Sequence, residues 1–407
     1  MASRALATAF VNIVPGTKEL DTYLKKGLPD DAGAAGGLAG DRLGNTMGQG
    51  FGSKFKSALG PIIATAAAAF GAMAIGNFLK EGVSGAEDLN KALAEVVTLT
   101  GTTGEAAAKN FGDFKATVQD VSKEFGIAQD VLTNGLYNAL SAGVPKENAL
   151  TFMQVAASAS IAGVTDVNTA VDGLTTAINA FGLENSDAQA VADSLFTAVK
   201  GGKTTFAELS AALFQVAPAA AAAGVSMQET NAAIAALTSA GVPTSVATTQ
   251  IRAALVGLQK PSKDMDAIFQ KLGYANGQVA IEAEGLQFAI NAVKDASGGS
   301  NGALQTLLGS TEAVGAVNVL AGTGAAKFTA ELLAQSEAAG STQAALDVMD
   351  PTRALEVLRV AFGNMKLAVG DALLPVFANL ANVLTPVIYT LAPVLADVFT
   401  QLAPILS

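Results

Sequence analysis

The sequence predicts an all-α protein, an array of short antiparallel Ala-rich helices with long apolar helical segments before and after it. Between about residues 86 and 370, apolar residues recur at the helical period, and almost no stretch alternates as a strand does. Glycines followed by an aliphatic residue divide this region into pieces of one helix each. The runs that flank it are nearly uncharged and long enough for helices of several turns.

The composition indicates that something other than water covers part of the surface. Half of the 407 residues are hydrophobic, 14% are charged, and the mean hydropathy is +0.40, whereas soluble domains carry about 25% charged residues. The 24 basic and 35 acidic residues give a net charge of −11. Because phosphate contacts need clustered Lys and Arg, this balance argues against sequence-specific binding of nucleic acid.

The chain contains no Cys, His or Trp. This excludes disulfides, thiolate nucleophiles, imidazole bases and nearly every transition-metal site. The carboxylates also lack the spacing of a calcium-binding loop. We therefore predict that the protein is not an enzyme, that it binds no cofactor, and that it has no catalytic, cofactor-binding or metal-ligating residue.

Residues 1–26 are predicted to form a small N-terminal element. A short apolar strand is turned at Pro15-Gly16 into a charged helix that ends at Lys25-Lys26. An asparagine interrupts the first apolar run and no clean cleavage site follows it, so we expect no secretory signal.

Residues 27–56 are rich in glycine. Five glycines recur at a spacing of four, at Gly36, Gly40, Gly44, Gly48 and Gly52. In a helix they would form one smooth stripe that a second helix can approach closely, as in a glycine zipper. The alternative is a flexible linker, because each helical Gly costs about 0.8–1 kcal/mol relative to Ala.

Residues 57–80 are predicted to form an apolar helix of membrane length. The run between Lys56 and Lys80 carries no charge, and about 20 helical residues span a bilayer core. Its many Ala and Gly residues make it weakly hydrophobic. A buried helix in a protein assembly is therefore an equally good interpretation.

Residues 81–370 are predicted to form the all-helical core domain. Six of the glycines that precede an aliphatic residue recur at similar intervals, as at helix C-termini with Gly in the left-handed conformation; they are Gly126, Gly143, Gly163, Gly182, Gly224 and Gly241. With Gly202 added, they are 17 to 22 residues apart. This spacing predicts eight helices over residues 106–260, packed as successive antiparallel neighbours.

Residues suited to begin a helix follow these stops. Thr205 with Glu208 and Ser226 with Glu229 are predicted to form capping boxes, and Pro145 is suited to the first turn of a helix. The side chains of Asp166 and Ser186 can accept a hydrogen bond from the N-terminus of the helix that follows each of them.

Residues 371–407 are predicted to form an apolar helical tail punctuated by prolines. The tail repeats with a period of 18, which pairs Pro375 with Pro393 and Pro386 with Pro404. Eighteen residues are five helical turns, so the prolines share one stripe and kinks would bend the helix one way. Because Asp397 is the only charge after Asp371, we expect the tail to pack on sister copies, a tube wall or lipid.

Three motifs typical of enzymes have simpler explanations. Residues 200–204 resemble the end of a phosphate-binding loop, but the first required glycine is a threonine, which favours a helix-to-helix turn. Ser53 and Lys56 have a spacing used in acyl transfer, but they lie in the Gly-rich segment. Glu282 and Glu284 have no aromatic side chain nearby to line a sugar cleft, which indicates an exposed helix turn.

The core closely resembles the core region of phage tail tape measure proteins. The resemblance is best over residues 216–274, VAPAAAAAGVSMQETNAAIAALTSAGVPTSVATTQIRAALVGLQKPSKDMDAIFQKLGY. Flanking segments of that family are similar in the same order, namely FGIAQDVLTNGLYNALSAGV, TDVNTAVDGLTTAINAFGL, FAELSAALFQVAP and LRVAFGNMKLAVGDALLPVFANL. Together these segments extend the resemblance to roughly residues 86–380.

The resemblance implies a structural virion protein of a long-tailed, siphovirus-like phage. Such proteins lie in the tail tube lumen in several copies, set tail length during assembly in the host cytoplasm, and leave ahead of the DNA at infection. The implied partners are further copies of the chain, tail tube and tail tip (distal tail or baseplate hub) proteins, and tail assembly chaperones. Family members are usually much longer than this chain.

The sequence leaves two other interpretations. The first is a membrane-inserting pore or channel that aids DNA passage across the host membrane, with residues 57–79 and 372–396 as inserting segments. This role is compatible with an earlier role as a ruler. The second is a cell-wall hydrolase, against which the missing His and Cys argue.

Overall fold

The computed structural model describes residues 72–260 and 262–402, and every regular element within these ranges is a helix. The all-α prediction is confirmed. The helices are α1 Ala72–Thr98, α2 Gly104–Phe125, α3 Gln129–Ser141, α4 Ala149–Ala162, α5 Val167–Phe181, α6 Ala188–Gly201, α7 Phe206–Ala222, α8 Met227–Ser239, α9 Thr244–Gln259, α10 Lys263–Lys271, α11 Gly277–Glu284, α12 Leu286–Ala296, α13 Asn301–Leu308, α14 Thr311–Asn318, α15 Ala325–Ser336, α16 Ser341–Met349 and α17 Ala354–Leu402.

Several predictions concern residues that the structure leaves undescribed. These are the strand and helix of residues 1–26, the Gly-rich segment 27–56 with Ser53 and Lys56, and the part of the apolar helix before Ala72.

The contacts divide the chain into two units. The described part of the first unit comprises residues 72–87 and 365–402, and the second unit is Asp88–Asn364. The domain boundaries predicted after residues 80 and 370 fall inside α1 and α17. The predicted domain limits stay a prediction.

The fully described stretch from Gly104 to Gln259 contains the eight predicted helices. Five of the seven glycine stops have positive φ, namely Gly126, Gly143, Gly182, Gly224 and Gly241. After four of them the next amide donates to the carbonyl five residues earlier, at 2.9–3.2 Å; the donors are Val144, Leu183, Val225 and Val242. This is the hydrogen-bond pattern of a helix end closed by a left-handed residue.

Gly163 and Gly202 depart from the predicted conformation. Gly163 has φ −83°, and Val164 takes the positive φ of 50° instead. A Cβ at Gly163 would lie 2.7 Å from Cγ of Phe206. Gly202 is extended, with φ −104° and ψ 174°, and a Cβ there would lie 2.5 Å from Oγ1 of Thr238. The left-handed prediction is wrong at both positions, because close packing is what requires glycine there.

Helix starts follow the predictions at Asp166, Thr205 and Ser226 but not at Ser186 or Pro145, which has extended backbone and precedes a 3-10 turn, Lys146–Asn148. The carboxylate of Asp166 accepts a hydrogen bond from the amide three residues later, at 2.9 Å. Thr205 and Ser226 form complete capping boxes with the glutamates three residues after them. The capping prediction for Ser186 is wrong, because this residue lies inside a 3-10 turn, Asn185–Asp187, and α6 begins after that turn.

In the second unit, alternate helices pack side by side and form two rows. One row contains α2, α4, α6 and α8, and the other contains α3, α5, α7 and α9. Successive helices pass from one row to the other, and the chain turns by 116° between α4 and α5 and by 110° between α6 and α7. Stacked helix pairs of this kind are the arrangement of α-solenoids.

Two helices of the first row, α4 and α8, are buried on nearly every side. Eleven of the 14 residues of α4 and ten of the 13 residues of α8 are buried. Most of them are Ala, Ser or Thr, whose small side chains let neighbouring helices approach from several directions. The Ala-rich composition is therefore a property of the core.

After α9 the chain forms a group of short helices and then returns along the first row. It passes through a π-helical turn, Val319–Thr323. Helix α15 then packs on α8 and α6, and α16 packs on α6 and α4. Before α17, the guanidinium of Arg353 donates to the carbonyls of Phe125 and Gly126, at 3.0 and 3.4 Å. Because these carbonyls end α2, the cation lies at the negative end of a helix.

Candidate functional surfaces

The phosphate-loop-like residues 200–204 form the predicted helix-to-helix turn, in which α6 ends at Gly201 and α7 follows. Both glycines of the turn pack against neighbouring helices. A Cβ at Gly201 would meet the carboxylate of Glu331, and one at Gly202 would meet Thr238. Packing therefore accounts for both glycines. Among the described residues, no group of three or more side chains is placed to hold a metal ion.

Glu282 and Glu284 lie on an exposed turn of α11, as predicted. The hydroxyl of Tyr274 donates to Glu284 at 2.7 Å, and its ring packs edge-on against Phe288. This hydrogen bond raises the pKa of Tyr274. The expectation of no nearby aromatic side chain is therefore wrong. Glu282 instead accepts a hydrogen bond from Gln278, at 3.1 Å, so the two carboxylates have different partners.

A groove of about 500 Å³ lies between α5 and α7. Its lining includes buried Ser210, whose Oγ has no hydrogen-bond partner in the described part of the chain, and exposed Phe214. Partial burial and the nearby charge of Asp166 raise the pKa of Asp172, which also lines the groove. Because both carboxylates carry negative charge when ionised, they also repel anions, and the groove therefore disfavours ligands such as phosphate.

Helix α17 exposes large apolar side chains along much of its length. Seven of them are 43–82% exposed; they are Leu355, Leu358, Phe362, Met365, Phe377, Val383 and Tyr389. The helix continues through Pro375, Pro386 and Pro393 to Leu402. Exposed apolar surface of this extent marks a region that another surface covers.

By length and composition, one helical stretch of the described chain, Ser341–Val383, could cross a membrane. The number rises to three if the bent pairs α4 with α5 and α6 with α7 are each taken as one span. Those pairs are apolar because they build the buried core. By contrast, only 17% of the apolar window in Ser341–Val383 is buried.

In the first unit, α1 and α17 cross at two glycines, Gly82 and Gly370, where the two backbones are in close contact. A Cβ at Gly82 would lie 2.7 Å from the carbonyl oxygen of Lys366, and one at Gly370 would meet the carbonyl of Gly82. Lys366 pairs with Glu81 at 2.6 Å and lowers the pKa of Glu81.

Beside the crossing, two buried side chains pack on three partly buried ones: Val369 and Leu373 on Phe78, Leu79 and Val83. Small residues that allow so close an approach are typical of helix pairs in membranes.

Comparison with known proteins shows that the array of helices is similar to a family of phage proteins. Residues 115–310 match the model of the family described as phage-related minor tail protein. A probable tape measure protein of Clostridium phage phiCD119 is 35% identical over 92 residues, which cover 20% of this chain and 10% of that protein. The match thus spans about a tenth of the length of this relative. No solved structure is significantly similar to the chain.

The range matched by the family model contains the segment whose sequence best resembles tape measure proteins. Residues 115–310 run from within α2 to the end of α13, and so include most of both rows. The segment of closest resemblance, residues 216–274, lies inside this range. Over this range the chain is therefore similar to the phage-related minor tail proteins, and the resemblance to phage tail tape measure proteins is confirmed.

Proposed function

We propose that this chain is a tail ruler. Several copies lie in the lumen of the tail tube, set the length to which tube subunits polymerise, and leave ahead of the DNA at infection. The observation that carries the proposal is α17, a helix of 49 residues with large apolar side chains exposed along it. At about 1.5 Å per residue, α17 would measure about 70 Å.

The exposed side of α17 determines which partners we propose. Apolar side chains on a long helix are unfavourable in water, so they need cover at each stage. In the host cytoplasm, tail assembly chaperones and further copies of the chain supply that cover, and in the virion the tail tube and tail tip proteins do. The net charge of −11 keeps the ruler from binding the DNA that follows it through the tube.

Tail length in phage particles tests the ruler. Four extra in-register copies of the 18-residue unit Leu373–Thr390 add 72 residues, which should lengthen the tails by about 108 Å if the insert is helical. Electron micrographs of purified particles give the length. The matched control is a flexible 72-residue insert at Gly298-Gly299, between α12 and α13, which should leave tail length unchanged. Intact tails of normal length with the helical insert would contradict the ruler function of this segment.

A second function, insertion into the host membrane to aid DNA passage, is favoured by the crossing of Gly82 with Gly370. This crossing joins two helices in the way membrane helices associate, and α17 is apolar beyond it. Full-length protein should release dye from liposomes, and Gly370→Val should reduce the release because it separates the helices. Gly363→Val, on the same helix, is the control. No release by the wild-type protein at any pH would exclude this function.

A further inference from the structure

Helices α15 and α16, residues 325–349, form a segment that we call the strap. The strap lies on α4, α6 and α8 of the first row. Three of the five buried residues in its two helices are polar or charged, and the five are Phe328, Glu331, Gln335, Thr342 and Leu346. Because most of the groups buried here are polar, hydrogen bonds contribute a large share of the contact with the core.

A buried carboxylate on α6 holds the N-terminal end of α16. Asp193 is 3% exposed. Its carboxylate accepts hydrogen bonds from the amides of Gly340 and Thr342, at 2.8 and 2.9 Å, and its carbonyl accepts one from the Ser341 hydroxyl at 3.0 Å. A carboxylate placed at a helix N-terminus satisfies free amides and interacts favourably with the helix dipole.

A second set of hydrogen bonds holds the end of α15. The hydroxyl of Ser194 donates to Oε1 of Gln335 at 2.6 Å, and Nε2 of Gln335 donates to the Ser194 carbonyl at 3.1 Å. Nδ2 of Asn231, on α8, donates to the Ser194 hydroxyl at 2.9 Å. These bonds and those of Asp193 meet in one place, because Asp193 and Ser194 are adjacent.

The same contact contains polar atoms without partners. Within the described residues, Oδ1 of Asn231, Oε2 of Glu331 and Oγ1 of Thr342 are buried and have no hydrogen-bond partner. A buried polar atom without a partner destabilises the packed state relative to one in which water reaches it. The contact between the strap and the first row therefore has well-defined hydrogen bonds, but three of its buried polar atoms lack a hydrogen-bond partner within the described residues.

A break in the helix precedes the strap. The π-helical turn Val319–Thr323 lies between α14 and α15, and Gly322 has non-helical angles of φ −132° and ψ −112°. No atom of the described chain would lie within 4 Å of a Cβ at Gly322. Short π-helical turns and glycines are common places for a helix to bend.

We propose that the strap is a releasable latch. It swings as one piece about Val319–Gly324 when the junction at Asp193 opens, while the two rows stay folded. Opening hydrates the unpartnered atoms of Asn231, Glu331 and Thr342, while Arg353 keeps the chain before α17 attached to the end of α2. The proposal concerns local opening of the folded chain and does not depend on the ruler function.

Hydrogen exchange of the full-length protein, followed by mass spectrometry, tests the latch. Amides of residues 325–349 should exchange at least tenfold faster than those of α8. Asp193→Asn should speed exchange in the strap about tenfold further and leave α8 unchanged. The control is Asp166→Asn, which also removes a capping carboxylate but at the start of α5, and it should leave the strap unchanged. A common exchange rate for the strap and α8 in the wild type would overturn the proposal.

A disulfide gives a second test that does not require the Asp193 variant to fold. The hydroxyl oxygens of Thr197 and Ser341 are 3.2 Å apart. Because the chain contains no cysteine, cysteines introduced at these two positions can pair only with each other within one molecule. In the double variant Thr197→Cys/Ser341→Cys, oxidation should slow exchange of the strap to the rate of α8, and reduction should reverse this. An oxidised variant whose strap still exchanges as fast as the reduced one would also overturn the latch.

Discussion

Glycines inside the helices have two different roles. A Cβ at Gly257 in α9 would lie 2.8 Å from the carbonyl oxygen of Leu308, so this glycine admits a neighbouring backbone. At Gly112 in α2, by contrast, no atom of the described residues would lie within 4 Å of a Cβ. Both appear in the sequence as a glycine within a helical pattern, and only the packing distinguishes them.

Alanine substitutions at these two glycines should have opposite effects. Gly257→Ala should destabilise the protein by about 1–3 kcal/mol, because the backbone of Leu308 cannot give way without moving a helix. Gly112→Ala should stabilise it by about 0.8–1 kcal/mol, since Ala loses less entropy in a helix. Urea unfolding of the two variants measures both changes, and shifts of the same sign would contradict the assignment.

The cap at Asp166 should make stability depend on pH. Hydrogen bonds from the hydroxyl and then the amide of Thr169 lower the pKa of Asp166 below its ordinary 3.8. A carboxyl whose pKa is lowered by folding stabilises the folded state above its unfolded pKa, and this contribution is lost as the pH falls through the folded pKa. Asp166→Ala should therefore cost about 1 kcal/mol at neutral pH.

The difference between Asp166→Ala and the wild type should shrink as the pH falls below 3.8. Urea unfolding at a series of pH values measures it. A difference that stays constant down to strongly acidic pH would show that the hydrogen bonds of the side chain, and not its negative charge, are responsible.

At the scale of the elements, helix ends follow from local sequence but helix neighbours do not. Schellman-type ends and capping boxes depend on a few adjacent residues, so five of the seven predicted glycine stops have the expected backbone. Which helices pack together depends on side chains far apart in the chain. The two rows arise because small residues cover most faces of α4 and α8, which lets α4 contact α2 and α6, and α8 contact α6 and α15.

The crossing of α1 and α17 gives a prediction for the first unit. Gly370→Ala should force the helices apart, because its Cβ would meet the carbonyl of Gly82. Amides of residues 78–85 should then exchange with deuterium at least tenfold faster. Gly363→Ala is the matched control, since no described atom lies within 4 Å of a Cβ there. Equal exchange in both variants would show that the crossing is not held by close backbone contact.

At the scale of the whole molecule, apolar residues have two different environments within the described residues. In the second unit, Ala-rich helices are buried on most sides. On α17, large apolar side chains remain exposed. Of these two sets of residues, the exposed side chains of α17 are the ones that need a partner.

Self-association should therefore depend on α17. The double variant Leu355→Lys/Phe362→Lys should self-associate at least tenfold more weakly than the wild type, because burial of each side chain contributes about 1.5–3 kcal/mol. Sedimentation velocity over a range of concentrations measures this. Phe214→Lys, which removes from α7 an aromatic side chain that is 62% exposed against 50% for Phe362, is the control and should have little effect. A comparable loss with Phe214→Lys would indicate association without a preferred surface.

The amino-acid sequence by itself determined the helical class, the eight helices between Gly104 and Gln259, most of their ends and the resemblance to phage tail tape measure proteins. These properties depend on hydrophobic periodicity and on the backbone preferences of adjacent residues, which are legible in a single chain. The apolar character of α17 was predictable for the same reason. The exposure of its side chains was not, because exposure depends on which neighbours fold against it.

Only the tertiary structure decided the packing of alternate helices in rows, the packing roles of Gly163 and Gly202, and the crossing of Gly82 with Gly370. It also decided the junction in which Asp193 holds Gly340, 147 residues away. Contacts between residues so distant leave no local period and follow no turn preference, because they satisfy groups that meet only when the chain has folded.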